Sequence, residues 1–170
     1  MSLPQKNNLS LEELKSILEN TAIRYLSFRP RFKAEVVNRL ATKAIELQIK
    51  DPIALIDQIT QSLEKSGFLN DSQLLESFIR NKLQNKFKGP YWIRPRLAHF
   101  GLLKSEIDVA MKKFATKEIQ LEVLKTFIAK KLKAKSLDLP LKMRLYRLLA
   151  GRGFGQDVIG QAFDLDGQLE

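Results

Sequence analysis

Lysine and arginine are the side chains that this sequence gathers most densely, and their placement is the first clue to its chemistry. From Ser77 to Ser105 there are seven of them, Arg80, Lys82, Lys86, Lys88, Arg94, Arg96 and Lys104, with no Asp or Glu between. A second block, residues 125–152, holds nine, among them Lys130, Lys131, Lys133, Lys135, Arg144 and Arg147, against the single acid Asp138. Residues 1–76 carry ten basic and ten acidic side chains, so the excess positive charge lies in the two blocks, and acidic residues elsewhere bring the net charge down to +10. Two basic blocks on a neutral frame predict a polyanionic or acidic partner, paired without reading sequence. Arg94, Arg96, Arg144 and Arg147 add planar forks suited to phosphate or carboxylate, and are the donors expected to be best oriented. Tyr91, Trp92 and Tyr146 are interleaved with these cations. Each ring is a candidate either for stacking on bases or for covering the core.

The other chemistries fail on composition. Cysteine is absent, which excludes thiol nucleophiles, disulfides and thiolate metal sites, and the one histidine, His99, excludes a multi-histidine metal centre. His99 falls opposite Leu97 on a helix and is expected at the surface. GRGFG at 151–155 has the glycine spacing of a phosphate loop but follows a helix where such loops follow a strand. Asp164-Leu165-Asp166-Gly167 copies the opening of a calcium loop but lacks its closing Glu. No cofactor, metal or catalytic set is expected. There is no 18-residue apolar run and no signal-peptide pattern, which predicts a cytoplasmic chain without a membrane span.

Helices must position the cations, because no stretch alternates with a period of two. Gly89, Ile93, Leu97 and Gly101 recur at a step of four, predicting a short helix between two glycines. Ser105 is then expected to cap a helix that buries Ile107, Ala110, Met111 and Phe114. Sliding the chain along itself by 52 residues sets Ile93 on Leu145, Leu97 on Leu149, Gly101 on Gly153, Ser105 on Asp157, Ile107 on Ile159 and Ala110 on Ala162. A weaker match, at a shift of 57, sets Val36, Leu40 and Ala44 under Ile93, Leu97 and Gly101, with an insertion near residues 45–52. In the first third, Ser10 and Glu13 form a capping box, Arg29-Pro30 ends a helix, and Asp51-Pro52 starts another. Pro95 is placed within the first turn or so of its helix, Thr116 caps the seventh helix, and Asp157 caps the ninth. The fold class read from this is all-α: three tandem three-helix repeats in an elongated, curved array. The segments are a flexible start over 1–8, repeats over 9–70, 71–115 and 116–164, and an acidic tail over 165–170.

Gly101 followed by Ile107, and Gly153 followed by Ile159, also have the spacing of a helix-turn-helix. The would-be reading helices argue against base recognition: Glu106 and Asp108 stand near the start of one and Asp157 at the start of the other, where a major-groove helix needs donors.

With the three units in place, the sequence resembles the RecX family of regulators of the RecA recombinase. The landmarks are Tyr25-Leu26, Arg29-Pro30, Glu35 and Leu40; then GFLND at 67–71 leading to Leu75, Phe78 and Arg80; then Gly89, Ile93, Leu97, Gly101 and Ile107. The resemblance runs from about Ala22 to Phe163, and departs from the family pattern in the segment IELQIKDP and at Pro95. It implies a monomeric, non-enzymatic modulator lodged in the groove of a RecA–DNA filament, lowering ATP hydrolysis, strand exchange and filament growth. It also implies contact with single- or double-stranded DNA without strong sequence preference. The alternative is a direct DNA-binding protein of helix-turn-helix or architectural type.

Overall fold

A computed structural model describes residues 9–132 and 137–166; the predicted flexible start at 1–8 and the end of the acidic tail lie outside them. Every regular element among the described residues is helical: α1 (Leu11–Ser27), α2 (Lys33–Glu46), α3 (Ile53–Lys65), α4 (Asp71–Arg80) running into a π-helical turn (Asn81–Asn85), α5 (Pro90–His99), α6 (Lys104–Phe114), α7 (Lys117–Leu132), α8 (Leu139–Gly151) and α9 (Gln156–Asp166). None is long and apolar enough to cross a membrane. The chain divides into two compact units, residues 1–74 and 75–170.

In the first unit α1, α2 and α3 pack around Leu18, Ala22, Val36, Leu40, Leu55, Ile56, Ile59 and Leu63, with Leu69 closing the cluster. The capping box forms as the sequence predicts: Glu13 N–H donates to Ser10 Oγ (3.2 Å) and Ser10 N–H to Glu13 Oε2 (2.7 Å). At the start of α2, Glu35 accepts from Phe32 N–H (3.1 Å), Arg29 (2.7 Å) and Arg31 (3.3 Å). Asn70 caps α4 through Gln73 N–H (3.0 Å), which leaves Asp71 to accept Lys33 N–H (2.8 Å) from the first turn of α2.

The second helix of each triplet ends alike. Gln48, Gly101 and Gly153 take the left-handed conformation, with φ of 56°, 87° and 88°. The residue after each donates to the carbonyl five positions back: Ile49 to Ala44, Leu102 to Leu97 and Phe154 to Leu149. This turn corrects the internal alignment. Ala44 is the counterpart of Leu97 and Leu40 that of Ile93, so the first shift is 53 rather than 57. The departure that remains is two extra residues between Gln48 and α3. Four positions are corrected with it. Leu103, not Ser105, is the N-cap of α6, and its N–H donates to Glu106 Oε2 (2.8 Å). Asp157 lies inside α9 as its second residue, the place Ser105 holds in α6. Helix α3 starts at Ile53 with Pro52 at its N-cap. Pro95 is the sixth residue of α5, beyond the first turn. Thr116 does cap α7, accepting from Ile119 N–H (3.4 Å). The predicted acidic tail begins late, since α9 runs to Asp166.

The second unit holds two helix triplets joined backbone to backbone. Gly89 N–H donates to the Arg152 carbonyl (2.9 Å), and Tyr91 N–H donates to the Gly153 carbonyl (3.0 Å). Both donors belong to the start of α5, where a helix leaves its N–H groups without internal partners. A Cβ on Gly89 would sit 2.2 Å from the Gly153 carbonyl oxygen, and one on Gly153 would sit 2.5 Å from the Trp92 nitrogen. Backbone lies on both sides of the contact, so no side chain can yield. Gly89→Ala is therefore expected to destabilise the chain by about 1–3 kcal/mol. Gly160→Ala, at an open position inside α9, is expected to stabilise it by about 0.5–1 kcal/mol. Urea unfolding of both variants checks this, and equal effects would contradict the close approach.

Candidate functional site

The basic blocks are sorted by what flanks them. Of the carboxylates that border the acid-free stretch, Glu76 and Asp108 pair with arginines inside it, while Glu106 accepts from the Leu103 N–H. Arg80 Nε donates to Glu76 Oε1 (2.8 Å) while its guanidinium lies 5.1 Å over the Phe114 ring. Arg94 pairs with Asp108 across α5 and α6. That hydrogen bond is the main reason the Asp108 carboxyl is held below the ordinary aspartate value. Two of the predicted binding arginines thus have partners within the chain.

Others converge where the π-helical turn meets α7. The turn closes with Lys86 N–H donating to the Asn81 carbonyl (3.2 Å) and Lys88 N–H to the Lys82 carbonyl (2.9 Å). Phe87 follows at φ 50°, a left-handed conformation for a bulky residue. Its ring meets Phe127 of α7 with centroids 5.1 Å apart. Lys130 lies 5.2 Å over Phe87, Lys131 lies 5.7 Å over Phe127, and Arg152 lies 5.0 Å over Phe127. Arg152 Nη1 also donates to the carbonyls of Lys86 (3.0 Å) and Phe87 (3.4 Å), closing the end of the π turn. Beyond Gly89, Lys88 and Arg96 each lie 5.1 Å from the Trp92 ring. Lys88, Arg96, Lys130, Lys131 and Arg152 therefore sit on three aromatic rings, and Lys86 is exposed beside them at the end of the π turn. None of the six lies within salt-bridge distance of a carboxylate among the described residues. Cation–π contacts hold such side chains in place at about 0.5–1 kcal/mol each when exposed, and the Arg152 guanidinium is in addition engaged by the Lys86 and Phe87 carbonyls.

The remaining predicted cations stand elsewhere. Lys82 lies over Phe78 (5.2 Å). Arg144 and Arg147 are exposed on α8, with Arg147 Nε donating to the Met143 carbonyl (3.4 Å). Lys133 and Lys135 lie outside the described residues. Of the rings proposed to stack, Trp92 is half-buried and in contact with two cations, Tyr146 is half-buried, and Tyr91 is 72% exposed. Tyr91 alone of the three presents most of its surface to solvent.

Arg152, Phe87 and Phe127 are the members that the sequence reading did not single out. Arg152 sits inside GRGFG, and the structure uses the carbonyls of that turn as acceptors for the start of α5. The signal available was an arginine directly before Gly153, the glycine that takes the left-handed turn at the helix end. No group of His, Cys, Asp or Glu among the described residues is arranged to hold a metal, and His99 is exposed on α5.

Comparison with known proteins bears on the whole arrangement. Residues 118–163 match the family described as RecX, third three-helix domain. The regulatory protein RecX of Streptococcus pneumoniae (strain 70585) is 30% identical over 95% of this chain and 64% of its own length. That of Halalkalibacterium halodurans is 31% identical over 92% of this chain and 60% of its own length. The chain thus spans less than two thirds of the length of these relatives. The crystal structure of RecX from Lactobacillus salivarius superposes with a TM-score of 0.71 at 24% identity, covering 91% of this chain and 97% of that one. At that identity it shows a shared all-helical fold.

Removing the Arg152 guanidinium leaves two carbonyls short of a donor at the end of the π turn. Arg152→Met is expected to cost about 1–3 kcal/mol and to change the fluorescence of Trp92, the chain's one tryptophan. Unchanged emission and stability would contradict the closure. For the Arg94–Asp108 pair, a depressed folded-state pKa means the contribution is present above the unfolded value and lost as pH falls through the folded one. Arg94→Gln is expected to return the Asp108 carboxyl resonance to the ordinary aspartate range. A titration unmoved by that change would contradict the pairing.

Proposed function

We propose that this chain is a member of the RecX family and a non-enzymatic modulator of the RecA recombinase, acting as a monomer in the cytoplasm. In this reading it occupies the groove of the RecA–DNA filament and suppresses ATP hydrolysis, strand exchange and filament growth. The observation that supports the reading is the group of six cations around Phe87, Trp92 and Phe127, none of which pairs with a carboxylate among the described residues. A filament is a continuous anionic surface of protein carboxylates and DNA phosphates, and such a patch pairs with it without reading bases. Arg144 and Arg147 extend the binding surface, with Lys133 and Lys135, in the same proposal. Tyr91 is the ring best exposed for a base or a planar side chain.

The alternative, direct reading of duplex DNA by a helix-turn-helix, gains nothing from the geometry. In α6, Glu106 is engaged by the Leu103 N–H and Asp108 by Arg94, so the exposed start of that helix is acidic where donors to bases would have to stand.

The test is RecA ATPase on single-stranded DNA with this protein titrated in. Inhibition is expected, with an apparent affinity that falls as salt rises. Lys130→Glu with Lys131→Glu is expected to weaken it by roughly tenfold or more without loss of helicity. Inhibition that survives both reversals at moderate salt would remove the patch from the binding surface. Preference for one duplex sequence would favour the alternative.

A further inference from the structure

The first unit, balanced in net charge, holds a groove of about 430 Å³ between α1 and α2. Its apolar floor is Ile17, Tyr25 and Phe28, and its rim is Arg24, Arg39 and Lys43. Ile17, Arg24, Tyr25 and Phe28 fall on one face of α1 and its end, so the groove follows that helix for about 16 Å, or three turns. Phe28 is 78% exposed, with its ring left to water at one end. The Tyr25 ring is fixed from the other side by Arg31, 4.2 Å away, which is itself held by Glu35. Lys43 has Glu46 at 2.8 Å, whereas among the described residues no carboxylate lies within salt-bridge distance of Arg24 or Arg39. The element is therefore an apolar trough about three turns long with unpaired positive charge on its rim.

We propose that this groove docks an acidic amphipathic helix of a partner protein, with apolar anchors against Ile17, Tyr25 and Phe28 and carboxylates against Arg24 and Arg39. The length suits a helix, since anchors at i, i+3/i+4 and i+7 span about 10 Å, or two turns, and fit within the three-turn trough. The rim sets the charge of the occupant by complementarity. A phosphodiester strand would satisfy the rim but leave the apolar floor wet, and would gain nothing from Phe28. A second copy of this chain would bring its own +10 charge to a positive rim. The site lies in a different unit from the cationic patch and does not depend on it.

The experiment uses the full chain with isotope labelling and a 16-residue helical peptide bearing Leu at i, i+3/i+4 and i+7 and Glu on both flanks. The same peptide with Lys for Glu, and a 16-nucleotide single strand, serve as comparisons. The expected result is that amide shifts on adding the acidic peptide concentrate on α1 and α2 around Ile17, Arg24 and Arg39. Arg24→Glu with Arg39→Glu should weaken its binding by roughly tenfold, the scale of two reversed rim charges. Phe28→Ala, at an exposed position that leaves the core intact, should weaken it as well. Shifts confined to Lys130 and Lys131, binding indifferent to the double reversal, or displacement from α1 and α2 by the oligonucleotide would each overturn the proposal.

Discussion

The meeting of Gly89 with the Arg152–Gly153 turn governs the arrangement of the second unit. Two backbone hydrogen bonds supply carbonyl acceptors to the start of α5, and the approach is so close that neither glycine has room for a methyl group. Everything functional in this unit is measured from that contact. It sets Trp92 against Gly153, brings Arg152 to the end of the π turn, and so places the cations of α4's extension beside those of α7. The π turn contributes its own constraint. By inserting a wider turn before Phe87 it ends in a left-handed residue, which sends the phenyl ring onto Phe127. Wide turns of this kind are commonly found where a site needs a side chain re-aimed.

Charge in this chain is decided by neighbours as much as by count. The acid-free run from Ser77 to Ser105 suggests a uniform basic face, yet Glu76 and Asp108, just outside it, neutralise Arg80 and Arg94 within the fold. Of the cations that remain, Lys82, Lys88 and Arg96 are held by aromatic rings rather than by carboxylates. A ring fixes a lysine stem while leaving its ammonium group uncompensated, whereas a carboxylate fixes and cancels it. That difference leaves the positive charge around Phe87, Trp92 and Phe127 uncompensated by carboxylates among the described residues, and the proposed anion binding rests on it.

Much of this was legible in the residues. The helical class, the triplets and the equivalence of Gly101 with Gly153 follow from periodicity and from glycine's tolerance of positive φ. The register of the first triplet was not legible, and the reason is specific. Val36, Leu40 and Ala44 repeat every four residues, so they match their counterparts equally well one turn out of place. Only the left-handed residue breaks that degeneracy, and in the first triplet it is Gln48, which leaves no mark in sequence. Ser105 and Asp157 misled in a related way. Both are favoured cap types, but the turn is closed by Leu103 N–H and Glu106, two residues apart from any such cue. Arg152 was hidden because its role is tertiary: it reaches carbonyls 65 and 66 residues away.

The central claim is that Lys86, Lys88, Lys130 and Lys131 act as one surface toward an anionic filament. Lysine acetylation footprinting of the full chain, free and bound to RecA on single-stranded DNA, addresses it residue by residue. The account predicts that these four lysines lose reactivity together on binding, while Lys15 and Lys50 of the first unit retain theirs. Four patch lysines that stay as reactive on the filament as in free solution would contradict it.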